Sequence, residues 1–158
     1  MGIDPGSRNM GWAIVDRAPD GTMRLRGSGV IKTRPKTPQP QTLLIITHAL
    51  DDLIARYCPD EISIEDLFFS NNARSAMIVG QARGMILLAG AQHGLNVVSY
   101  TPQQLKIAAC GKGRADKQEV QAGIQQRLGL PSAITNEHTA DAAAAALRHF
   151  DQLAADAG

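Results

Sequence analysis

The order of hydrophobic patterns along the chain is the feature that most constrains its fold. A short apolar stretch stops at the turn signal Pro5-Gly6, and two strand-like stretches follow on either side of Asp20-Gly21. Strand-like and helix-like patterns then alternate. The predicted strands cover residues 1–4, 10–16, 22–31, 61–65 and 95–100, and the predicted helices cover residues 43–57, 71–94, 102–109, 117–127 and 136–155.

This order predicts a mixed sheet. The first three strands form an antiparallel meander, and the later strand-helix-strand order implies parallel additions to it. We therefore expect an α/β fold, a ribonuclease-H-like mixed five-stranded sheet flanked by helices. Residues 32–40 contain three prolines and are predicted to be irregular. No repeat or linker divides the 158 residues, which predicts a single domain over residues 1–158.

The compartment is predicted from what the sequence lacks. The two cysteines, Cys58 and Cys110, have no zinc-ligand spacing, and the longest apolar runs fall well short of the roughly 20 residues that span a bilayer. The N-terminus shows neither the basic nor the apolar region of a signal peptide. We expect a cytoplasmic protein with no membrane contact.

Charge is distributed unevenly, although the net charge is only +1. Residues 21–50 and 67–115 contain ten cationic residues and no carboxylate. Folding of these stretches would create a positive surface, which favours a polyanionic partner. The alternative is two ordinary solvated faces.

Two carboxylates are expected at strand ends. Asp4 ends the first strand, and Glu65 ends the fourth, which lies beside the first in the proposed order. Both would emerge at one edge of the sheet, where α/β proteins expose ligand sites. Asp66 would point to the opposite face. The alternatives are a turn-forming aspartate at position 4 and a solvated strand end at position 65.

The last helix carries a second pair. His138 and Asp141 are three residues apart, so they project from one helix face. Asp141 lies within a run of alanines that lets a helix approach a sheet closely, and a charge held there is costly unless it is paired or binds a metal. His138 follows a helix cap at Thr135 or Asn136, where the helix dipole favours neutral imidazole. The alternative for His138 is a surface or capping residue.

Together, Asp4, Glu65, His138 and Asp141 suggest a metal centre. Carboxylate oxygens suit Mg²⁺ or Mn²⁺, and such a cluster can hold two ions about 3.5–4 Å apart. The imidazole makes Mn²⁺ more acceptable. Phosphodiester hydrolysis is the natural reaction of such a site.

Five spaced motifs resemble the RuvC family of Holliday-junction resolvases over residues 2–150. They are GIDPGSRNMGW at 2–12, IEDLFFSNNARSA at 64–76, GQARG at 80–84, QQLKIAACGKGRADKQEV at 103–120 and HTADAAAAAL at 138–147. The resemblance implies a ribonuclease-H-like fold, a homodimer, and paired symmetric nicks across a four-way DNA junction with Mg²⁺ or Mn²⁺.

The resemblance also implies roles for single residues. Asp4, Glu65, His138 and Asp141 fall on the family's four catalytic metal-ligand positions. Many members carry Asp where this chain has His138, while others have His, which implies an active site with an altered metal preference. The family usually has several apolar residues before GIDPG, so we expect that the start of the chain is shortened or lacks a segment.

DNA contacts are expected on two segments, residues 68–74 and 106–117. Lys106 and Lys117 match basic residues that serve phosphate binding and catalysis, and Phe68 matches an aromatic that packs on bases near the junction centre. Phe69 forms an aromatic pair with Phe68, of which one side chain is expected to be buried and the other to face DNA and stack on a base. The alternative for the pair is packing in the core. The remaining expected contacts are phosphate contacts by basic side chains, Arg74, Lys112 and Arg114.

The apolar helix over about residues 73–91 exceeds what one sheet face requires, so part of it is expected to form the seam of a homodimer. A branch-migration motor is a further possible partner. One rival function is a catalytically silent junction-binding protein of the same fold. The other is an actin-like phosphotransferase or ATPase, which would normally need a second such domain.

Overall fold

The computed structural model describes residues 1–66 and 72–158. The strands are β1 (Gly2–Asp4), β2 (Asn9–Arg17), β3 (Met23–Lys32), β4 (Glu61–Glu65) and β5 (Asn96–Tyr100). The helices are α1 (Gln39–Tyr57), α2 (Ala73–Gln92), α3 (Pro102–Cys110), α4 (Lys117–Arg127) and α5 (Glu137–Asp156).

The five strands form one mixed sheet in the order β3-β2-β1-β4-β5. β1 pairs antiparallel with β2 and β2 with β3, whereas β4 pairs in parallel with both β1 and β5. The parallel pairings require crossovers, which α1 and α2 supply. The predicted fold class is confirmed, and β1 lies at the centre of the sheet.

Helices cover both faces of this sheet. α1 and α2 pack on the face that carries Ile3 and Ile64, and α3, α4 and α5 pack on the other. Side chains alternate between the faces of a strand, so Asp4 and Glu65, which follow these isoleucines, point to the α5 side. The short strands β1 and β4 thus each contribute one face to the core and one carboxylate to the edge beside α5.

α5 lies unusually close to β1 and β2, because glycines occupy the strand positions beneath it. A Cβ atom at Gly2 would overlap the backbone of Ala142, and a Cβ atom at Gly11 would overlap the carbonyl group of His138. Small residues also form the helix side of this contact. They are the buried alanines Ala140, Ala142, Ala143, Ala144, Ala145 and Ala146.

The start of α1 differs most from the prediction. The helix was expected from residue 43, after an irregular segment that reached Pro40, but it begins at Gln39. Pro40 lies in the first turn, where its missing N–H has no helical partner to lose. The other predicted elements agree with the structure to within two residues at each end. No helix within the described ranges is long and apolar enough to cross a membrane.

The close contact between α5 and the sheet predicts an asymmetry between two Gly-to-Ala variants. Gly11→Ala forces the first turn of α5 away from β2, which is expected to lower the free energy of unfolding by about 3 kcal/mol. Gly21→Ala places its Cβ in open space at a turn with φ of 83°, so backbone strain alone acts there. That strain costs about 1 kcal/mol. Urea unfolding measures both, and equal losses would contradict the close packing.

Candidate active site

Three carboxylates converge where β1 and β4 end. The two strands are parallel, with Ile3 opposite Ile64, so Asp4 and Glu65 leave the sheet at the same edge. Asp141 reaches this edge from the second turn of α5. One carboxylate oxygen from each of the three residues lies within 4.8 Å of the others. The structure therefore brings together three of the four residues that the sequence suggested as metal ligands.

The fourth residue, His138, joins this group through Asp4. Its Nδ1 lies 2.7 Å from Oδ2 of Asp4. α5 begins at the Asn136 cap, whose side chain accepts a hydrogen bond from the backbone N–H of Thr139, and this turn aims His138 at the strand end. The side chain of His138 is 43% exposed and that of Asp4 only 14%. The imidazole thus stands between the carboxylates and solvent.

Burial disfavours the charged form of each carboxyl group, and repulsion adds to this at Glu65 and Asp141. Burial is the main cause that raises the pKa of Glu65 to about 8, and the charges of Asp141 and Asp4 add to it. Burial and then the charge of Asp4 raise the pKa of Asp141 to about 6. Burial also raises the pKa of Asp4 above its usual range, which the hydrogen bond with His138 partly opposes. A hydrogen bond also links Asp4 to Glu65.

This donor set fits a hard divalent cation. Mg²⁺ and Mn²⁺ take oxygen ligands, and the three carboxylates offer several oxygen atoms within a few ångströms of one another. A divalent charge at this edge would offset the repulsion that adds to the pKa values of Glu65 and Asp141. The three residues could therefore hold a metal, with His138 beside them.

Lys106 brings a positive charge to the edge of the carboxylate site formed by Asp4, Glu65 and Asp141. Its Nζ donates a hydrogen bond to the carbonyl oxygen of Ala115, at 2.9 Å, and its charge lowers the pKa of both Glu65 and Asp141. Lys106 also lines a cavity of about 370 Å³ that opens beside Glu65 and Asp141. The cavity walls include side chains of α3, α4 and α5, and this space can admit part of a substrate next to the carboxylates.

The other predicted basic residues lie further out. Lys117 also lines this cavity, but its Nζ is ion-paired with Glu137 at 2.6 Å. Lys112 is ion-paired with Glu119, also at 2.6 Å. The structure leaves Arg114 exposed on the loop before α4. It also leaves Arg74 exposed, in the first turn of α2. A phosphate bound by either lysine would have to compete with a carboxylate partner.

The aromatic residues predicted to contact DNA, Phe68 and Phe69, lie outside the described residues. Just before them, Asp66 forms an ion pair with Arg83 of α2, at 3.2 Å. Asp66 is thus directed to α2, as strand alternation predicted, and away from the carboxylate site that contains Glu65.

Two features of the site were missed in the sequence. The pairing of Lys117 with Glu137 joins residues twenty positions apart, and no local pattern signals it. The role of Gly11 had a signal that could have been used, because a glycine inside a predicted strand often marks a close approach of another backbone.

The fold and the carboxylate site together define a ribonuclease-H-like α/β protein with a site suited to divalent cations. A family model described as "Crossover junction endodeoxyribonuclease RuvC" matches residues 1–149. The chain belongs to the RuvC family of crossover junction endodeoxyribonucleases, as its five motifs predicted. This membership favours a nuclease over the actin-like phosphotransferase considered above.

Individual relatives agree with this assignment. The RuvC proteins of Roseiflexus sp. (strain RS-1) and Desulfitobacterium hafniense (strain DSM 10664 / DCB-2) are 42% and 40% identical to the chain over 149 residues, which is 94% of the chain and 88% and 90% of the two relatives. The structure of Thermus thermophilus RuvC matches with a TM-score of 0.89 at 34% identity, covering 98% of this chain and 95% of that one.

Two further structures extend the comparison. Thermus thermophilus RuvC in complex with a Holliday junction substrate matches with a TM-score of 0.90 at 34% identity, covering 97% of this chain and 94% of that chain. The yeast mitochondrial Holliday junction resolvase Ydc2 matches with a TM-score of 0.69 at 13% identity, covering 98% and 79%. The second likeness concerns the fold alone.

The raised carboxyl pKa values predict how stability depends on pH without divalent cations. The folded protein keeps a proton on Glu65 up to about pH 8, whereas the unfolded chain releases it near 4.5. The folded state therefore binds more protons across this interval, so rising pH lowers the free energy of unfolding. In thermal unfolding with a chelator, we expect the melting temperature to fall as pH rises through this interval.

Two variants test whether Glu65 causes this fall in melting temperature. Glu65→Gln is expected to flatten the decline between the Asp141 pKa of about 6 and the Glu65 pKa of about 8. Glu137→Gln should keep the decline, because the ion pair with Lys117 lowers the pKa of Glu137. A melting temperature that stays constant or rises with pH in the wild-type protein would contradict the electrostatic description of the site.

Proposed function

We propose that this chain resolves four-way DNA junctions by paired, symmetric hydrolysis of phosphodiester bonds, using Asp4, Glu65 and Asp141 to hold divalent cations. The observation that carries the proposal is the convergence of the three carboxylates within 4.8 Å at one sheet edge. Membership of a family of crossover junction endodeoxyribonucleases supports the substrate and the reaction. The Thermus relative, solved in complex with a Holliday junction substrate, supports junction binding.

The proposed cofactor is a pair of Mg²⁺ or Mn²⁺ ions. When bound, the two ions supply water activation and charge stabilisation at the departing 3′ oxygen. The ligands are carboxylates, which both ions accept, and His138 beside Asp4 makes Mn²⁺ more acceptable than in a site of carboxylates alone.

His138 has two possible roles, which its geometry defines. Where Nδ1 carries the proton, it donates to Oδ2 of Asp4 and orients that carboxylate, and Nε2 keeps a lone pair. Nε2 is then able either to ligate a cation or to accept a proton from the attacking water. The partial exposure of the imidazole supports access of water to it.

Basic residues are proposed to position the DNA. Lys106 is held by the carbonyl oxygen of Ala115 beside the carboxylates, where it can contact the scissile phosphate. Lys117, Lys112, Arg114 and Arg74 are proposed to contact phosphates further along the arms, and such contacts fix position without reading sequence. Phe68 and Phe69 remain predicted base-stacking residues.

A junction-cleavage assay tests the function. We expect wild-type protein with Mn²⁺ or Mg²⁺ to introduce paired nicks in a synthetic mobile four-way junction but not in linear duplex. Asp141→Asn removes one negative charge from the carboxylate site. It is expected to lower the cleavage rate by about 100-fold or more while junction binding persists. Asp60→Asn changes an exposed aspartate at the other end of β4 and should cleave normally.

Two results would contradict the proposal. Tight junction binding by the wild-type protein without cleavage under either metal would favour the catalytically silent binding protein. Equal cleavage by Asp141→Asn and wild type would remove Asp141 from the site.

A homodimer is proposed because symmetric cuts need two symmetric sites. Among the described residues, large apolar side chains that stay exposed are concentrated on the α1–α2 layer. Exposed members of this layer are Leu44, Ile45, Met77, Leu87 and Leu88. Exposed apolar side chains that cluster in this way are typical of an interaction surface. A branch-migration motor as partner and a cytoplasmic location remain predictions from the sequence.

Charge substitution on this layer tests the dimer. Met77, which is 67% exposed, lies on α2, and Met77→Glu is expected to shift the protein from dimer to monomer and to uncouple the paired cuts. Leu153→Glu changes a similarly apolar but separate site on α5 and should leave the dimer intact. Sedimentation velocity measures both. A Met77→Glu variant that remains dimeric would exclude this side of α2 from the seam.

A further inference from the structure

A second polar cluster lies where α5 passes the start of β4, at the opposite end of that strand from the carboxylate site. His149, on α5, contacts Glu61 at the start of β4 through Nε2, and its Nδ1 lies 2.8 Å from the hydroxyl group of Tyr100 at the end of β5. The side chain of His149 is only 11% exposed. One imidazole thus connects α5 to two neighbouring strands, and the proposed reaction does not use it.

The hydrogen bonds of this cluster are mutually consistent. The bond with His149 is the main cause that lowers the pKa of Glu61, so this side chain is an ionised acceptor. Nε2–H of His149 then donates to Glu61, and Nδ1 accepts the hydroxyl proton of Tyr100. The guanidinium of Arg148 packs over the ring of Tyr100, 4.9 Å from its centre. One tautomer of the imidazole thus serves both Glu61 and Tyr100.

The bonds of His149 are directional contacts of α5 with β4 and β5. Small side chains, the alanines from Ala142 to Ala146, make up much of the buried part of α5. Gly2 and Gly11 allow the close approach of α5 to β1 and β2, and His149 adds bonds to β4 and β5 that a shift of α5 would break. The bonds of His149 have fixed directions, and a shift would leave partly buried polar groups unpaired.

The same two elements also carry the carboxylate site, β4 at its other end and α5 about two turns nearer its start. Glu61 and Glu65 are separated by four residues of β4, about 13 Å at the rise of a strand. His149 and Asp141 are separated by eight residues of α5, about 12 Å at the rise of a helix. The spans match, so fixing His149 beside Glu61 also sets how far Asp141 reaches towards Glu65.

We propose that His149 is a positioning residue, which holds α5 in register against β4 and β5 through Glu61 and Tyr100, and so places Asp141 beside Glu65. The proposal rests on the function proposed above, because it concerns the geometry of the same carboxylate site. His149 lies two helical turns from Asp141 and acts through the position of the helix, without touching the substrate.

Four variants separate positioning from general stability. His149→Ala removes both contacts, and Tyr100→Phe removes only one hydroxyl group. His149→Gln retains one donor and one acceptor and is the conservative rescue. Phe150→Ala is the matched control, since it removes a large, partly buried side chain from the same turn of α5 but none of these hydrogen bonds.

Two readouts are measured at a temperature where every variant is folded. Calorimetric titration gives the affinity for Mn²⁺ without DNA, and cleavage kinetics give kcat and KM for the junction. We expect His149→Ala to weaken Mn²⁺ binding by about 3-fold to 30-fold and to lower kcat by a similar factor with KM unchanged. Tyr100→Phe should show a smaller loss, His149→Gln a partial recovery, and Phe150→Ala wild-type affinity despite lower stability.

The results distinguish this inference from the function on which it rests. A wild-type protein that neither binds Mn²⁺ nor cleaves junctions would overturn the proposed function itself. A wild type that does both, with variants at positions 149 and 100 that match it in Mn²⁺ affinity and kcat, would overturn only the positioning role. If His149→Ala does not fold, the positioning role is tested by comparing the Mn²⁺ affinity and kcat of Tyr100→Phe with those of Phe150→Ala.

Discussion

The contact between α5 and the centre of the sheet is the constraint on which the rest of the structure depends. α5 is the only element among the described residues that brings Asp141 and His138 to the strand ends carrying Asp4 and Glu65. A contact this close requires glycine on the strands and alanine on the helix, because a single Cβ at Gly11 would overlap the backbone of α5. The glycines of β1 and β2 and the alanines of α5 thus allow the site residues of the strands and the helix to meet at one edge of the sheet.

Bringing the three carboxylates together has an electrostatic cost, and this cost indicates a functional site. Burial raises the pKa values of Asp4, Glu65 and Asp141, and repulsion adds to it at Glu65 and Asp141, so bringing the three side chains together does not by itself favour folding. Function-related sites are where such unfavourable groupings are expected. A divalent cation reverses the sign of the interaction, which ties the geometry of the site to metal-dependent phosphodiester chemistry.

Much of the fold could be predicted from the sequence. Strand alternation and turn signals gave the meander, and strand ends placed Asp4 and Glu65 at one edge, because these patterns are local or follow from topology. Contacts that join distant residues carried no such signal. The pairing of Lys117 with Glu137 and the links from His149 to Glu61 and Tyr100 depend on how helices dock, and α1 began early because proline is tolerated in a first turn.

The central claim is that Asp4, Glu65 and Asp141 form one divalent-cation site at the ends of β1 and β4. Anomalous diffraction from crystals of the protein soaked in Mn²⁺, recorded at the manganese absorption edge, tests this claim most directly. The account predicts an anomalous peak in contact with carboxylate oxygens of all three residues, and its loss in crystals of Asp141→Asn. A well-ordered site with no peak there, or manganese bound only elsewhere on the molecule, would contradict it.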